Sequence, residues 1–267
     1  MARGELEFGQ EQLAADLDAL GVAAGSTVLV HCSMSALGRI AGGADALLDA
    51  LLSSLGAEGT LVVPAQTAGN SNTSPRFLAA TTGLSPDEAA TFEATLPGFN
   101  PATSPAQGMG ALAERVRRQP GAVRSGHPQT SFAALGPRAA ALMAVHDLDC
   151  HLGERSPLGA LYAADAKILL LGVGYAVCTA FHLAEYRLPQ PPELRPHRCY
   201  LRRDAERIRL DFLAPHLDDS DFSRLGLEVE RTGFVRTGLV GAAPSRLLPM
   251  RPAVDLAVEW MTGHRQS

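Results

Sequence analysis

Thr179, His182 and Glu185 follow one another at intervals of three residues in the run KILLLGVGYAVCTAFHLAEYRLP, Lys167 to Pro189. On helical backbone, residues at i, i+3 and i+6 lie on adjoining faces, so His182 has Glu185 on one side and Thr179 on the other. A neutral imidazole can take a proton from an attacking amine or hydroxyl. A carboxylate fixes the tautomer of that ring and stabilises the imidazolium, and a hydroxyl supplies a donor for a developing oxyanion. The same spacing also describes a capping threonine and a satisfied histidine on an ordinary helix, and spacing alone leaves the two readings even. The zinc-protease pattern HExxH is absent, so no metal is expected here.

Further candidates for chemistry come from two other stretches. The turn HCSMSALGRIAGGADALL places His31, Ser33, Met34 and Ser35 after a strand-like run, then Gly42 and Gly43 before a helix. Serine hydroxyls, a backbone that approaches closely at glycine, and free N–H groups at a helix start together suit an anion such as the phosphate of a cofactor. A turn whose glycines merely close a crossover has the same composition. The turn lacks the Gly-Lys-Ser/Thr ending of a Walker A loop, and GxGxxG occurs neither here nor at Gly172-Val173-Gly174. In the second stretch Arg124, Ser125 and His127 precede Ser131. Arg124 has the fork geometry for a phosphate, although such a cluster in isolation is more often a solvated turn. No GxSxG elbow marks a hydrolase nucleophile, and Cys178 reads as packing.

The elements that must position these residues can be read from periodicity. Leu13, Leu17 and Leu20 keep helical spacing from Gln10 to Leu20, with Gly21 to end the helix. Thr27 to His31 is a compact β-branched strand, Ala44 to Leu55 an amphipathic helix stopped by Gly56, and Gly59 to Pro64 the next strand. Strand, helix and strand in that order form a βαβ unit with a parallel pair. Residues 65–107 are rich in Thr, Ser, Asn and Pro and carry one helical start at Ser85-Pro86-Asp87-Glu88. They are expected to form a long lid-like segment packed through Phe77, Phe92 and Phe99. Helices are expected over Gly110 to Gln119, from Pro137 through Val145 and from Ser156-Pro157 to Ala164. Strands are expected at SFAAL and Lys167 to Leu171, and a hairpin around RRDAER. The chain should close with a helix (Asp218 to Arg231), a strand (Phe234 to Val240) and a helix (Arg251 to Met261). The whole predicts a single α/β domain over 1–267 with a parallel β-α-β pair early in the chain.

Bulk properties exclude several classes. The net charge of −5 and pI of 5.9 argue against nucleic-acid binding. The four cysteines lack zinc or disulfide spacing, which suits a reducing cytoplasm. No apolar run is long enough to span a membrane. A homodimer is left open.

Taken together, VLVHCSMSALGRIAGG, GTLVVPAQT, FNPATSPAQGMGALAE, RSGHPQTSFAALG, GERSPLGALY, ILLLGVGYAVCTAFHLAEY and GLVGAAPSRLL resemble the aminoglycoside 3-N-acetyltransferase family, in the family's order over most of residues 10–260. The resemblance implies an α/β sandwich with a central mixed, largely parallel sheet flanked by helices, and direct acetyl transfer from acetyl-CoA to the 3-amino group of an aminoglycoside, with His182 as general base, Glu185 as its carboxylate partner and Thr179 donating to the oxyanion. It places acetyl-CoA against His31, Ser33, Met34, Ser35, Gly42 and Gly43 and against Arg124, Ser125, His127 and Ser131. Many members carry Asp where this chain has Asn100, so Asn100 is expected to bear on the choice of acceptor. Glu93 and Glu154 are candidate carboxylates for a cationic amine. Acetylation of a different amine, a His-Glu hydrolase, and a non-catalytic CoA- or nucleotide-binding module are the alternatives.

Overall fold

The computed structural model describes residues 7–204 and 206–265. The chain runs β1 (Glu7–Phe8), α1 (Gln10–Leu20), β2 (Thr27–Cys32), β3 (Arg39–Ile40), α2 (Gly43–Leu55), β4 (Thr60–Pro64), α3 (Pro75–Thr81), α4 (Pro86–Ala94), α5 (Gly110–Arg117), β5 (Val123–Arg124) and β6 (Phe132–Leu135). It continues through α6 (Ala139–Met143), α7 (Pro157–Ala163), β7 (Lys167–Leu171), α8 (His182–Glu185), β8 (Leu194–Arg203), β9 (Glu206–Pro215), α9 (Phe222–Arg231), β10 (Arg236–Val240), β11 (Ala243–Pro249) and α10 (Met250–His264). The expected α1 forms with Leu13, Leu17 and Leu20 buried. It stops at Gly21, whose φ of 102° is a left-handed conformation that glycine adopts without a Cβ penalty.

Seven strands form one sheet in the order β10-β11-β7-β2-β4-β6-β5. The middle three are parallel, β7 to β2 and β2 to β4, and the flanking pairs are antiparallel. The expected βαβ unit, β2-α2-β4, lies at its centre. Period-two alternation along the buried strands separates two cores. Val28, Val30, Leu61, Val63, Leu169 and Leu171 face α1, α2 and α5 through Leu17, Leu47, Leu51 and Val116. Leu29, Val62, Ile168 and Leu170 face α6 to α10 through Leu142, Leu158, Leu183, Leu225 and Val254. Helices therefore cover both faces of an α/β sandwich.

Residues 65–107 carry more structure than the single expected helix. Ser74-Pro75 repeats the Ser85-Pro86 signal: Ser74 Oγ accepts from the Phe77 N–H at 3.0 Å to start α3, and Ser85 with Glu88 completes a capping box on α4. The segment docks on the β8-β9 hairpin. Asn70 Oδ1 accepts from Tyr200 N at 3.0 Å, Phe99 N donates to Tyr200 O at 2.7 Å, and Arg207 donates to the carbonyls of Glu93 and Leu96. Two further expectations need correction. The helix expected from Asp218 begins at Phe222, because residues 218–221 are held in a loop by Glu185 and Arg265. Ala243–Pro249, which periodicity does not mark as a strand, pairs with both β10 and β7, its prolines lying near the two ends of the run.

Candidate active site

After β2 the chain turns toward α2 on one face of the sheet, and after β7 it turns toward Phe181 and Leu183 on the other. Neighbouring parallel strands whose continuations diverge leave a crevice beyond their carboxyl ends. A cleft of 620 Å³ occupies that place. Its walls are Val30 to Ser35 at the end of β2 and beyond it, Val63, Pro64 and Gln66 at the end of β4, Val173 and Ala176 to Thr179 after β7, Gly108 to Ala113 at the start of α5, and His182, Asp219 and Phe222.

His182 and Glu185 are brought together by a single α-helical turn, preceded by a 3₁₀ turn at Thr179–Phe181 in place of the longer helix that the spacing suggests. The i to i+3 relation survives this change because 3₁₀ geometry also places residues three apart on one face. His182 Nδ1 lies 2.5 Å from Glu185 Oε2, and the carboxylate is 1% exposed. A carboxylate only accepts, so Nδ1 carries the hydrogen, and in the neutral ring Nε2 keeps its lone pair. The other carboxylate oxygen, Oε1, accepts from Asp218 N and from Arg265 Nη1, each at 2.8 Å. Both oxygens of a buried charge are thereby engaged, which is the condition for keeping it inside. The Phe222 ring backs the imidazole with centroids 4.8 Å apart.

Thr179 Oγ1 lies 3.3 Å from His31 Nε2 across the crevice. His31 is buried, and burial lowers its pKa to about 4, so its imidazole is neutral near pH 7. Ser33 and Ser35, whose hydroxyls are 3.2 Å apart, and Met34 line the cleft beside it. Cys32 and Cys178 also belong to the lining, but their side chains pack into the two cores, and burial pushes each thiol up to about 12. Neither is a thiolate at neutral pH.

The other candidates lie away from these walls. Gly42 and Gly43 open α2 with φ of 84° and 60° and do not line the cleft. In the RSGHP stretch Ser125, His127 and Pro128 are buried, Arg124 is half-buried and Gly126 is exposed. Arg124 donates to Ser131 Oγ at 3.1 Å and to the carbonyls of Ser104 and Ala65. Ser125 Oγ meets His146 Nδ1 at 2.9 Å and accepts from Phe132 N, and His127 Nδ1 accepts from the N–H groups of Gln129 and Thr130. Burial, with His146 and His151 close by, holds His127 well below the usual histidine range. Glu93 is engaged by Arg198 and by the Tyr200 hydroxyl, and Glu154 by Arg187. Asn100 Oδ1 accepts from Ala102 N and Thr103 N within its own turn.

Sequence reading missed Asp219 and Phe222, which reach the cleft from the loop after the hairpin, and Arg265, which stands eighty positions from the carboxylate it holds. It also missed Gly108 and Gly110, whose left-handed φ values of 73° and 83° leave backbone without a Cβ on the cleft wall. The motif FNPATSPAQGMGALAE contained that signal in its two closely spaced glycines. Among the described residues, no group of three or more His, Cys, Asp or Glu is placed to hold a metal ion, and no helix is long and apolar enough to cross a membrane.

Residues 29–262 match the family model for aminoglycoside 3-N-acetyltransferase. Aminoglycoside N(3)-acetyltransferase VII of Streptomyces paromomycinus is 37% identical over 280 residues, covering 98% of this chain and 94% of the relative. The SPbeta prophage-derived aminoglycoside N(3')-acetyltransferase-like protein YokD of Bacillus subtilis is 34% identical over 255 residues, covering 94% and 91%. The crystal structure of YokD superposes with a TM-score of 0.90 at 32% identity, covering 97% of this chain and 95% of that one. The structure of AAC-IIIb with CoASH superposes with a TM-score of 0.85 at 30% identity, covering 97% and 98%. With the match spanning the sheet, both helical layers and the cleft, the chain belongs to the aminoglycoside 3-N-acetyltransferase family of acyltransferases.

Proposed function

We propose that this protein, acting as one acetyltransferase domain, moves acetyl from acetyl-CoA directly onto the 3-amino group of an aminoglycoside, with His182 as general base. The observation that carries the reading is the 2.5 Å contact between His182 Nδ1 and the buried Glu185 carboxylate on the wall of the cleft. That contact leaves Nε2 as the proton acceptor. As the amine nitrogen bonds to the acetyl carbon, Nε2 takes its proton, and Glu185 balances the imidazolium. The carbon–sulfur bond then breaks, and the same proton can pass to the departing thiolate, which returns His182 to its starting state. Thr179 serves the acetyl oxygen best when His31 Nε2–H donates to Thr179 Oγ1 and leaves the threonine hydrogen free.

The cleft suits the thioester donor on its own features. Gly108 and Gly110 expose backbone, the Ser33 and Ser35 hydroxyls stand at the carboxyl end of β2, and the α5 N-terminus opens on the same space. The cofactor relationship is supported by the CoASH complex of the structural relative, and the acceptor by the names of the curated relatives. Because the Cys32 and Cys178 side chains pack into the cores and burial holds both thiols protonated, direct attack is favoured over a cysteinyl intermediate. An acceptor would rest beside Gln66, where the segment 65–107 meets the cleft wall.

The test is thiol release from acetyl-CoA with a panel of aminoglycosides. His182→Ala should lower kcat roughly 100- to 10,000-fold while acetyl-CoA binding stays near that of the parent. Near-parental turnover in a folded His182→Ala variant refutes the assignment, and failure of every aminoglycoside to accept acetyl refutes the acceptor.

A further inference from the structure

We propose that Arg265 is a positioning residue for acyl transfer, fixing Glu185 and Phe222 and, through them, the His182 imidazole. The inference rests on reading His182 as the base. Arg265 closes α10, its N–H donating to Met261 O at 2.9 Å, and it is not among the residues lining the cleft. Its guanidinium nevertheless reaches the dyad from behind. Nη1 donates to Glu185 Oε1 at 2.8 Å, Nε donates to Asp221 Oδ2 at 2.8 Å, and Nη2 donates to the Asp218 carbonyl at 2.7 Å. Asp218 in turn gives its own N–H to the same Glu185 oxygen. One planar fork therefore ties the end of α10, the loop before α9 and the carboxylate together, which a lysine, as a single point charge, cannot do.

A second route runs through the aromatic wall. The guanidinium carbon lies 6.0 Å from the centroid of the Phe222 ring, and that ring lies 4.8 Å from the ring of His182. Phe222 is fully buried and comes directly after Asp221. Glu185 is 1% exposed and the Arg265 side chain 18%, so the pair is shielded from solvent. A buried carboxylate that loses its cationic partner must recruit water or turn away, and either change releases the orientation of the imidazole.

The experiment is steady-state kinetics on the full chain with acetyl-CoA and an accepted aminoglycoside, for Arg265→Gln and Arg265→Lys, each in the parent and in a Glu185→Gln background. Arg265→Gln should lower kcat roughly 10- to 100-fold with KM for acetyl-CoA within about twofold, and Arg265→Lys should restore part of the loss. In the Glu185→Gln background the same Arg265→Gln change should cost clearly less than in the parent, because the route through the Glu185 carboxylate has been cut and only the contact through Phe222 remains. Thermal melting checks folding; if Arg265→Gln does not fold, Arg265→Lys carries the same cycle. Parental kcat in Arg265→Gln, or its full cost persisting in the Glu185→Gln background, overturns the inference. Turnover that survives His182→Ala overturns the underlying reading and this inference with it, whereas an inactive His182→Ala beside a fully active Arg265→Gln overturns this inference alone.

Discussion

Replacing Glu185 by Gln removes a charge without changing shape, and the hydrogen-bond geometry dictates the response of the site. The carboxylate accepts three bonds, two at Oε1 from Asp218 N and Arg265 Nη1 and one at Oε2 from His182 Nδ1. An amide has one accepting oxygen and one donating nitrogen. With the oxygen toward Asp218 and Arg265, two bonds survive and the NH₂ faces His182. With the amide reversed, two donors point at an NH₂ in a site where Glu185 is 1% exposed, and each unpaired group costs about 1–3 kcal/mol. The first orientation wins, and it requires His182 Nδ1 to accept. The imidazole hydrogen then moves to Nε2, the nitrogen that should receive the proton of the amine.

The expected result is a folded protein that binds acetyl-CoA normally and turns over slowly, with kcat down on the order of 1,000-fold or more, as expected when a base is held in the wrong tautomer. Initial rates of thiol release at saturating amine, paired with calorimetric titration of acetyl-CoA, measure both quantities. A kcat within about threefold of the parent, with folding intact, would show that Glu185 does not set the tautomer and would remove the physical basis of the dyad.

Two further outcomes bear on the scaffold. Burial holds His31 and His146 at about 4 and His151 at about 3 against an ordinary 6.5, and His127 well below it. The unfolded chain therefore binds more protons than the folded one between those values. Stability is complete above about pH 6.5 and declines toward pH 4, His31 and His146 each contributing on the order of 3 kcal/mol at most; a urea midpoint no lower at pH 5 than at pH 7.5 would contradict this. Gly226 on α9 has no room for a methyl, because a Cβ there would overlap the Tyr175 ring. Gly226→Ala should cost about 1–3 kcal/mol by overpacking and raise KM for acetyl-CoA, since Ala176 and Val177 line the cleft; a stabilised variant, as helix propensity alone would give, speaks against that packing.

Much of the scaffold was legible because its signals are local. Leu13, Leu17 and Leu20 before Gly21, the β-branched run at Thr27, and Ser85-Pro86 with Glu88 each state their element within a few residues, and each element forms. The His182–Glu185 contact was legible for the same reason, since the two share one turn. Long-range partnerships were not. Nothing near Arg265 indicates that it meets Glu185, and nothing in RSGHPQTS distinguishes a solvated turn from one whose polar atoms are consumed internally. Glu93 and Glu154 looked available for a cationic acceptor because the sequence does not show that Arg198 and Arg187 stand beside them.

The topology explains why the chemistry gathers where it does. His31 lies at the end of β2 and Thr179 comes after β7, 148 positions apart in sequence, yet β2 and β7 are paired in parallel with His31 opposite Leu170. Parallel pairing puts both carboxyl ends at one edge of the sheet, and the departure of the two chains to opposite faces opens the edge between them. The antiparallel pair β11-β7 brings α10 back from the same sheet, since α10 begins directly after β11, and its far end delivers Arg265 behind Glu185. The base thus sits between a front wall built by parallel neighbours and a back wall supplied by the returning strand and its helix. A substitution that shifted α10 along β11 would be felt first as a loss of orientation at His182, before the cleft itself changed shape.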